Sequence, residues 1–522
     1  MPRIFSAWLL LIFLAAPTLA LAEGPAARLS LHDALARGLE RNFNLRIEHL
    51  NVPIGEQVVV TEQARFDPLA EARLNTRSQR TPNASALAGD DYARRRDHNA
   101  ALSLSKEFHG GLDARLSLET SRLSTNSAVD ILDPQYRSFL FLDLNQPLLR
   151  DFGARVNTAD LRLADNRLRQ ARLDYLDQAQ RLVEEIEVAY LDLSRTLEIL
   201  QLRIEGRELA RELLEANREK FEAGIVPVTE VQEAETAVAG RDEQVVFARQ
   251  QVEGAAHRLR RLLAIERGDP LFLLELATDP LGEPDADWPS ADEALAEALD
   301  TRPDLKRRQL EIVDRDIRLE FFANQKLPRL DLEASLGVNG LSGEERAVAF
   351  ADGAAGSPNS GGYWRSLDRM SSADGYEWYT GVRLSYPLGN RAAQANHRRA
   401  DLEKRQALYG LKDLENLMET EIRNALTAVE RGFERVLVAE RFQQLADTTL
   451  SQEMERLREG LSDTFRILDF QDNVIEARVR KTNALVDFHQ GLAGLYRAMG
   501  LNLERRGIVH DPALKEMLHV QN

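Results

Sequence analysis

The chain has 522 residues, with 84 acids against 67 bases and a formal net charge of −17, which opposes any general role in binding nucleic-acid phosphates. It contains no cysteine, which excludes disulfides, thiolate metal sites, a cysteine nucleophile and a lipid-anchored N-terminal cysteine. Hydrophobic residues make up 43% and mean hydropathy is −0.37; beyond the first 22 residues no stretch supplies the ~20 continuous apolar residues of a spanning helix. A transmembrane β-barrel stays open, because its alternating strands do not register as apolar runs.

The chain begins with a basic Arg3, a short apolar core from Ala7 to Leu14 and a small-x-small end at Ala20-Leu21-Ala22. Residues 1–22 therefore read as a secretory signal peptide cut before Glu23, and the mature protein is expected to leave the cytoplasm. Short leading helices follow over about 31–68. The period then switches from 3.6 to 2. Alternating runs occur at Leu69–Asn75, Ala100–Ser105, Leu112–Glu119 and Phe139–Gln146. Each is near the 9–11 residues of a tilted membrane strand, or slightly shorter. Thr81 to Asp97 reads as a long exposed loop and Gly110-Gly111 as a tight hairpin turn.

From about 154 the helical period takes over. Apolar or small residues recur from Leu161 through Ala164, Leu168, Ala171, Tyr175 and onward to Ile204, a spacing of about 3.6. No proline lies between Pro147 and Pro227 or between Pro387 and Pro512. A continuous helix from Asn157 to Phe221 would be ~100 Å long, which calls for an antiparallel hairpin or bundle, with Gly224 and Gly460 at the reversals. After a proline-rich join the pattern recurs. Leu330–Asn339 and Trp378–Tyr386 alternate, and a second long helical stretch follows. Aromatics gather beside these strands at Tyr136, Phe139, Phe141, Tyr363, Trp364, Tyr376, Trp378, Tyr379 and Tyr386, as interfacial girdles require. A soluble half-buried sheet would alternate in the same way. Gly353 to Gly362 reads as another exposed loop.

The recurrence is a repeat. An offset of 236 aligns 164–264 with 400–500 without a gap, with 20 of 101 positions identical, Gly224/Gly460 among them. An offset of 260 aligns 31–68 with 291–328. The expected organisation is a first repeat at 23–267 (strands about 69–146, helical hairpin about 154–266), a linker at 268–290, a second repeat at 291–501 (strands about 329–387, hairpin about 389–500) and a C-terminal tail at 502–522.

At this point the sequence resembles the TolC-like outer-membrane efflux protein family over essentially the whole mature chain. The residues that carry the likeness are Phe221-Glu222-Ala223-Gly224-Ile225-Val226-Pro227-Val228-Thr229-Glu230-Val231-Gln232 and a weaker second copy, Leu457-Arg458-Glu459-Gly460-Leu461 with Ile467-Leu468-Asp469. Gln146-Pro147-Leu148-Leu149 and Tyr386-Pro387-Leu388 add to it. The resemblance implies a mixed α/β membrane protein in which long helical hairpins form a tunnel and antiparallel strands join a transmembrane β-barrel. It also implies a homotrimer, a periplasmic adaptor and an inner-membrane transporter as partners, and a place in the outer membrane of a Gram-negative-type envelope. Too few strands exist per chain to close a wide barrel alone, so open edges must pair with neighbours. The extra hairpin at Gly110-Gly111 either raises the family's four strands per chain or lies outside the wall.

The family's acidic pore ring maps onto Arg466 and Asp469. The acid expected at 466 is replaced by arginine, which leaves a single ring of Asp469, paired with Arg466. A ring of carboxylates attracts cations; an ordinary solvated helix face is the alternative. Glu230 and Glu233, which align with them in the first half, read as facing outward. Gly224, Ile225, Gly460 and Leu461 map to the adaptor-docking tips, although each glycine could simply cap its helix. No catalytic constellation, cofactor motif or metal-ligand spacing stands out among nine scattered histidines, so neither an enzyme nor a cofactor is expected. The function read from the sequence is a passive duct for solutes or polypeptides, as the outer-membrane subunit of a tripartite efflux or type I secretion system. The alternatives are a periplasmic adaptor and a coiled-coil scaffold.

Overall fold

The computed structural model describes residues 27–83, 90–347, 357–373 and 375–508. Residues 1–22, read as a leader, lie outside them, as do 509–522 of the expected tail and 351–356, which include the start of the loop read at Gly353.

The described chain opens with β1 (Ala27–Leu29) and α1 (Leu31–Arg41). Ser30 caps α1, its Oγ accepting the Asp33 N–H at 3.0 Å, which satisfies a donor the first helical turn leaves free. Asn42 separates α1 from α2 (Phe43–Ala64), and its Oδ1 accepts the N–H groups of Asn44 and Leu45. Four strands follow: β2 (Leu69–Pro82), β3 (Tyr92–Glu107), β4 (Asp113–Thr125) and β5 (Leu132–Pro147). Short α3 (Ala154–Asn157) leads to α4 (Ala159–Glu222), 64 residues long, and then to α5 (Val228–Leu262). Strand β6 (Leu276–Thr278) precedes α6 (Ala291–Thr301). There Ser290 and Glu293 bond reciprocally, backbone to side chain, at 3.0 and 3.4 Å, a capping box. The rest runs α7 (Pro303–Asn324), β7 (Arg329–Glu345), α8 (Tyr363–Ser371), β8 (Gly375–Ser385), α9 (Arg391–Arg458, 68 residues), α10 (Thr464–Ala498) and α11 (Asn502–Arg505).

The chain divides into two compact units. One takes residues up to Arg46, Ala179–Ala298 and those from Glu421; the other takes Ile47–Gln178 and Leu299–Thr420. The first unit is helical. Its core holds Val183, Ile186 and Leu193 of α4, Leu259 of α5, Val429 of α9 and Val486 and Phe488 of α10, all fully buried. At Gly38 an added Cβ would meet Ile186 Cδ1 at 2.1 Å, so glycine lets α1 lie close to α4. The stretch read as a linker is not plain linker. Its β6 pairs in parallel with β1, and the Tyr190 hydroxyl donates to Leu29 O and accepts the Asp279 N–H at 2.9 and 2.8 Å, fastening the pair to α4.

The second unit contains a six-stranded antiparallel sheet in the order β2-β3-β4-β5-β7-β8. Beside it, Ala159 and Leu163 of α4 pack with Ile317 and Phe321 of α7. Asn166 and Gln170 both donate to Asp314, at 3.0 and 2.9 Å. The sheet corrects two expectations. Thr81 to Asp97 is not a loop throughout: β2 reaches Pro82 and β3 begins at Tyr92, paired with each other. Tyr363 and Trp364 belong to a helix, α8, rather than to a strand. Among the described residues no helix is long and apolar enough to cross a membrane, a statement that does not bear on strands.

Candidate functional site

Residues paired across an antiparallel ladder project to the same face, so the register sorts every strand residue onto one of two surfaces. One register row reads Ala70, Leu104, Leu116, Leu142, Leu336 and Trp378 from β2 to β8. The next row on that face reads Ala72, Leu102, Leu118, Leu140, Val338 and Tyr376. These residues are apolar without exception, and many are open to the surroundings. Leu102, Leu336 and Trp378 are all more than half exposed, and Leu74, two residues up β2, is 82% exposed. The intervening row on the opposite face reads Glu71, Ser103, Ser117, Phe141, Gly337 and Glu377. That face bonds to itself: Ser335 Oγ donates to Asp143 at 2.7 Å, Asn99 to Asn75 at 2.8 Å, and Arg383 pairs with Glu333 at 2.8 Å. A water-facing sheet of a soluble protein does not leave so extended an apolar face uncovered.

The aromatic residues divide between the faces. Tyr136, Tyr376 and Trp378 lie on the apolar one. Phe139, Phe141 and Tyr379 lie on the polar one by register parity, contrary to a single girdle. Phe141 fits against Gly337, where a Cβ would strike its ring at 2.4 Å. Helix α8 seats on the apolar face just past the apolar rows. Ser366 and Ser138 hydroxyls bond at 2.8 Å, Tyr363 meets Tyr136 edge-on, and at Gly340 an added Cβ would strike the Ser366 carbonyl.

In the helical unit, the two turnarounds share one geometry. Gly224 has φ +73° and Gly460 has φ +76°, the left-handed conformation that glycine enters without steric cost. At the first, Gly224 N–H donates to Phe221 O and Ile225 N–H to Lys220 O, at 2.9 and 2.8 Å. At the second, Gly460 donates to Leu457 O and Leu461 to Arg456 O, at 3.1 and 2.8 Å. Both are Schellman motifs, whose residue after the glycine usually packs on an apolar residue in the last turn. Here that last-turn position is Lys220 or Arg456, and the aliphatic residues stay out: Ile225 is 71% and Leu461 63% exposed. Nothing lies within 4 Å of a Cβ built at either glycine. Each glycine is a cap with an unpacked aliphatic tip beside it.

The exits differ. Helix α5 starts at Pro227 without a side-chain cap, whereas Asp463 caps α10 by accepting the Arg466 N–H at 2.9 Å. The Arg466 guanidinium reaches back to Glu453 of α9 at 3.3 Å. Glu453 is nearly buried and also accepts the Ser462 hydroxyl at 2.6 Å. Asp469 accepts from Asn473 at 3.3 Å. Within the chain, therefore, Arg466 and Asp469 are both exposed but have different partners. Asp469 opens onto a groove of about 540 Å³ between α5 and α10, with Thr229, Gln232, Glu233, Phe465 and Asp472. Glu233 thus lies on the same groove, and Glu230 does not face outward. It accepts the Thr464 hydroxyl at 2.7 Å, and the same buried hydroxyl accepts from Asn217 at 2.8 Å.

One node lay beyond the sequence reading. Arg241 of α5 is buried, and all its donor nitrogens are engaged. Nε and Nη2 donate to Asp472 Oδ1 at 3.1 and 2.8 Å, Nη1 to Gly206 O and Gln471 Oε1 at 2.7 and 2.9 Å, and Nη2 also to Leu468 O at 3.3 Å. It thereby joins α4, α5 and α10. A signal was present: Arg241 continues the stripe of Val231, Ala234, Val245 and Ala248, all buried, and a charge in such a stripe needs a partner. Gly206, the lone glycine of α4, admits Ile475 of α10, which would stand 3.2 Å from an added Cβ. Among the described residues no group of three or more His, Asp or Glu is placed to hold a metal ion.

The chain thus combines a sheet with an exposed apolar face and long paired helices with bare tips. Residues 111–264 match the outer membrane efflux protein family. Solved structures with the same fold include the outer-membrane channel OprN (TM-score 0.65, 18% identity, covering 90% of this chain and 89% of that one). The CmeC outer membrane channel of Campylobacter jejuni aligns with TM-score 0.66 and 16% identity over 94% of this chain and 88% of its own. The outer membrane protein VceC of Vibrio cholerae aligns with TM-score 0.62 and 13% identity over 90% and 96%. A search of curated proteins returns no match. The chain is thus similar to the TolC-like outer-membrane efflux proteins both in the matched segment and in fold.

Proposed function

We propose that the chain is one subunit of a passive outer-membrane export channel, working as a homotrimer with a periplasmic adaptor and an inner-membrane transporter in a tripartite efflux or type I secretion system. The observation that carries this is the sheet: six strands with one face that holds two wholly apolar register rows, many of whose residues are exposed, one largely polar face and, among the described residues, two unpaired outer edges, β2 and β8. In water such a face costs about 25 cal/mol for each Å² left uncovered. Lipid removes that cost, provided the edges pair and no backbone group is left without a partner. Pairing with further copies supplies the closure, and the polar face then lines an aqueous lumen. The α4–α5 and α9–α10 hairpins, read as two tandem repeats, extend the duct into the periplasm. Residues 1–22 fit a leader that directs export. A soluble adaptor or scaffold has no use for the apolar face.

The test is fractionation of the full-length protein expressed with its leader. Release from outer-membrane fractions only by detergent, as particles of three chains that conduct ions in planar bilayers, is the expected result. A soluble monomer in the periplasm would sink the reading. Three finer assignments follow. We assign Asp469, which lines the groove between α5 and α10, to the pore aperture, so Asp469→Ala should lower the cation-to-anion permeability ratio; an unchanged ratio takes that carboxylate off the pore. Arg466, tied to Glu453, holds the start of α10 against α9 and favours the closed mouth. We assign Ile225 and Leu461, presented by Gly224 and Gly460, to the adaptor-docking tips on the strength of their exposure. Replacing both glycines with Trp should weaken adaptor co-purification while leaving oligomer mass unchanged, and undiminished co-purification would refute docking there.

A further inference from the structure

We infer that the β3–β4 hairpin is part of the membrane wall, so that each chain contributes six strands and a three-chain assembly closes an eighteen-stranded barrel. This rests on the channel reading above and adds the size of the pore and the place of the extra hairpin.

Three observations place the hairpin in the wall. The first is connectivity. Strand β2 pairs with β3 through fourteen consecutive positions, β3 with β4 through thirteen, and β4 with β5 through eleven. Among the described residues β2 has no other strand partner in this sheet, so a hairpin outside the wall would detach β2 from it.

The second is facial continuity. Leu102 and Leu104 of β3 and Leu116 and Leu118 of β4 fall in the same register rows, on the same face, as Leu336 and Val338 of β7. Ser103 and Ser117 fall on the polar face with Glu71. A hairpin folded over the mouth or into the lumen would gain nothing from repeating the wall's alternation, because a one-residue slip would invert every side chain.

The third is anchorage at the turn. Gly111 takes φ +90°, and an added Cβ would strike the Asp151 carbonyl at 2.6 Å. Gly110 O accepts the Gly153 N–H at 3.2 Å. Arg65 pairs with Glu107 at 2.7 Å, and Phe66 stacks on His109 with centroids 4.3 Å apart. The turn is thus held at the base of the sheet, beside the ends of β5 and α2.

All neighbouring pairs are antiparallel and the strand number is even, so β8 of one copy runs antiparallel to β2 of the next and the ring closes without a mismatch. Barrel diameter grows roughly linearly with strand number, so eighteen strands give about 1.5 times the diameter of twelve, the size at which barrels leave an open aqueous channel.

The chain has no cysteine, so single spin labels can be placed on the full-length protein reconstituted in phosphatidylethanolamine/phosphatidylglycerol vesicles. Labels go at Leu102→Cys and Leu118→Cys in the hairpin, Leu336→Cys and Val382→Cys outside it, and Ser103→Cys and Ser117→Cys on the polar face. Collision with dissolved oxygen should exceed collision with a water-soluble nickel chelate several-fold at all four apolar positions, with the reverse at the two serines. If 336 and 382 report lipid while 102 and 118 report water, the hairpin lies off the wall and the inference falls, leaving the channel reading standing. If all four report water, both fall. Strand counting by electron cryomicroscopy of the unlabelled protein in nanodiscs is independent of the substitutions: eighteen strands supports the inference, and twelve overturns it.

Discussion

Helix α10 and strand β8 carry apolar residues in comparable density and send them in opposite directions. In α10, Ile467, Val474, Ile475, Val486, Phe488 and Leu495 are all buried. In β8, Tyr376, Trp378, Val382 and Leu384 are all largely exposed. A helix of this kind can turn its stripe onto other helices of the same chain. A sheet with an alternating pattern buries its apolar face only where another layer covers it, and here α8 covers one end while Leu102, Leu336 and Trp378 stay exposed. The lesson is that burial within one chain is not a measure of what an apolar residue is for. The helical stripe stabilises the folded chain, whereas the apolar sheet face stays exposed within it.

The largest effect that separates the two regions is expected at Phe488. It is wholly buried, with Phe433 and Trp288 rings at 5.9 and 6.2 Å. Phe488→Ala should cost about 3–5 kcal/mol, read as a lowered denaturation midpoint in lipid and detergent alike. A loss confined to lipid would mean the helical core is not self-sufficient. The next largest sets the two sheet faces against each other. Leu336→Arg puts a charge on the apolar face and should cost about 2–4 kcal/mol if that face meets the bilayer midplane. It is read as failed insertion into vesicles. Ser335→Arg, one residue away on the polar face, should insert normally. Equal behaviour of the two variants would erase the distinction between the faces.

The smallest effect belongs to the helical unit. Burial pushes the Glu184 carboxyl above its ordinary range, the neighbouring Arg497 partly opposes this, and the nearby Glu185 and Glu421 add to it. A carboxyl raised on folding favours the folded state while protonated and loses that advantage as pH rises through its folded value. Glu184→Gln should therefore raise the melting temperature at neutral pH, and the gain should shrink to nothing as pH falls below the ordinary carboxyl range. A gain that persists at low pH would point to altered packing instead of charge.

Local chemistry made much of this legible in the residues themselves. The 3.6 spacing from Leu161 onward marks the helix that runs Ala159–Glu222, because side chains on one helical face must recur at that period. Alternation marks all six sheet strands for the same kind of reason. Gly224 and Gly460 mark the reversals, because a left-handed φ is costly for any residue with a Cβ.

Pairing was decided elsewhere. Nothing in Thr81–Asp97 alternates strongly enough to announce a strand, yet β2 extends to Pro82 and β3 begins at Tyr92, because each has the other's backbone to bond. Phe139, Phe141 and Tyr379 looked alike with Tyr376 and Trp378 as aromatics near strands, and only register parity separates them. Leu276–Thr278 became a strand because β1, some 250 residues earlier, lies alongside it. Arg241 met its partners on two other helices, and Glu230 turned onto Thr464 for the same reason. Periodicity is a property of one segment and is written in that segment. Register, and the partner of a buried charge, are properties of two segments brought together, and these the tertiary structure alone decides.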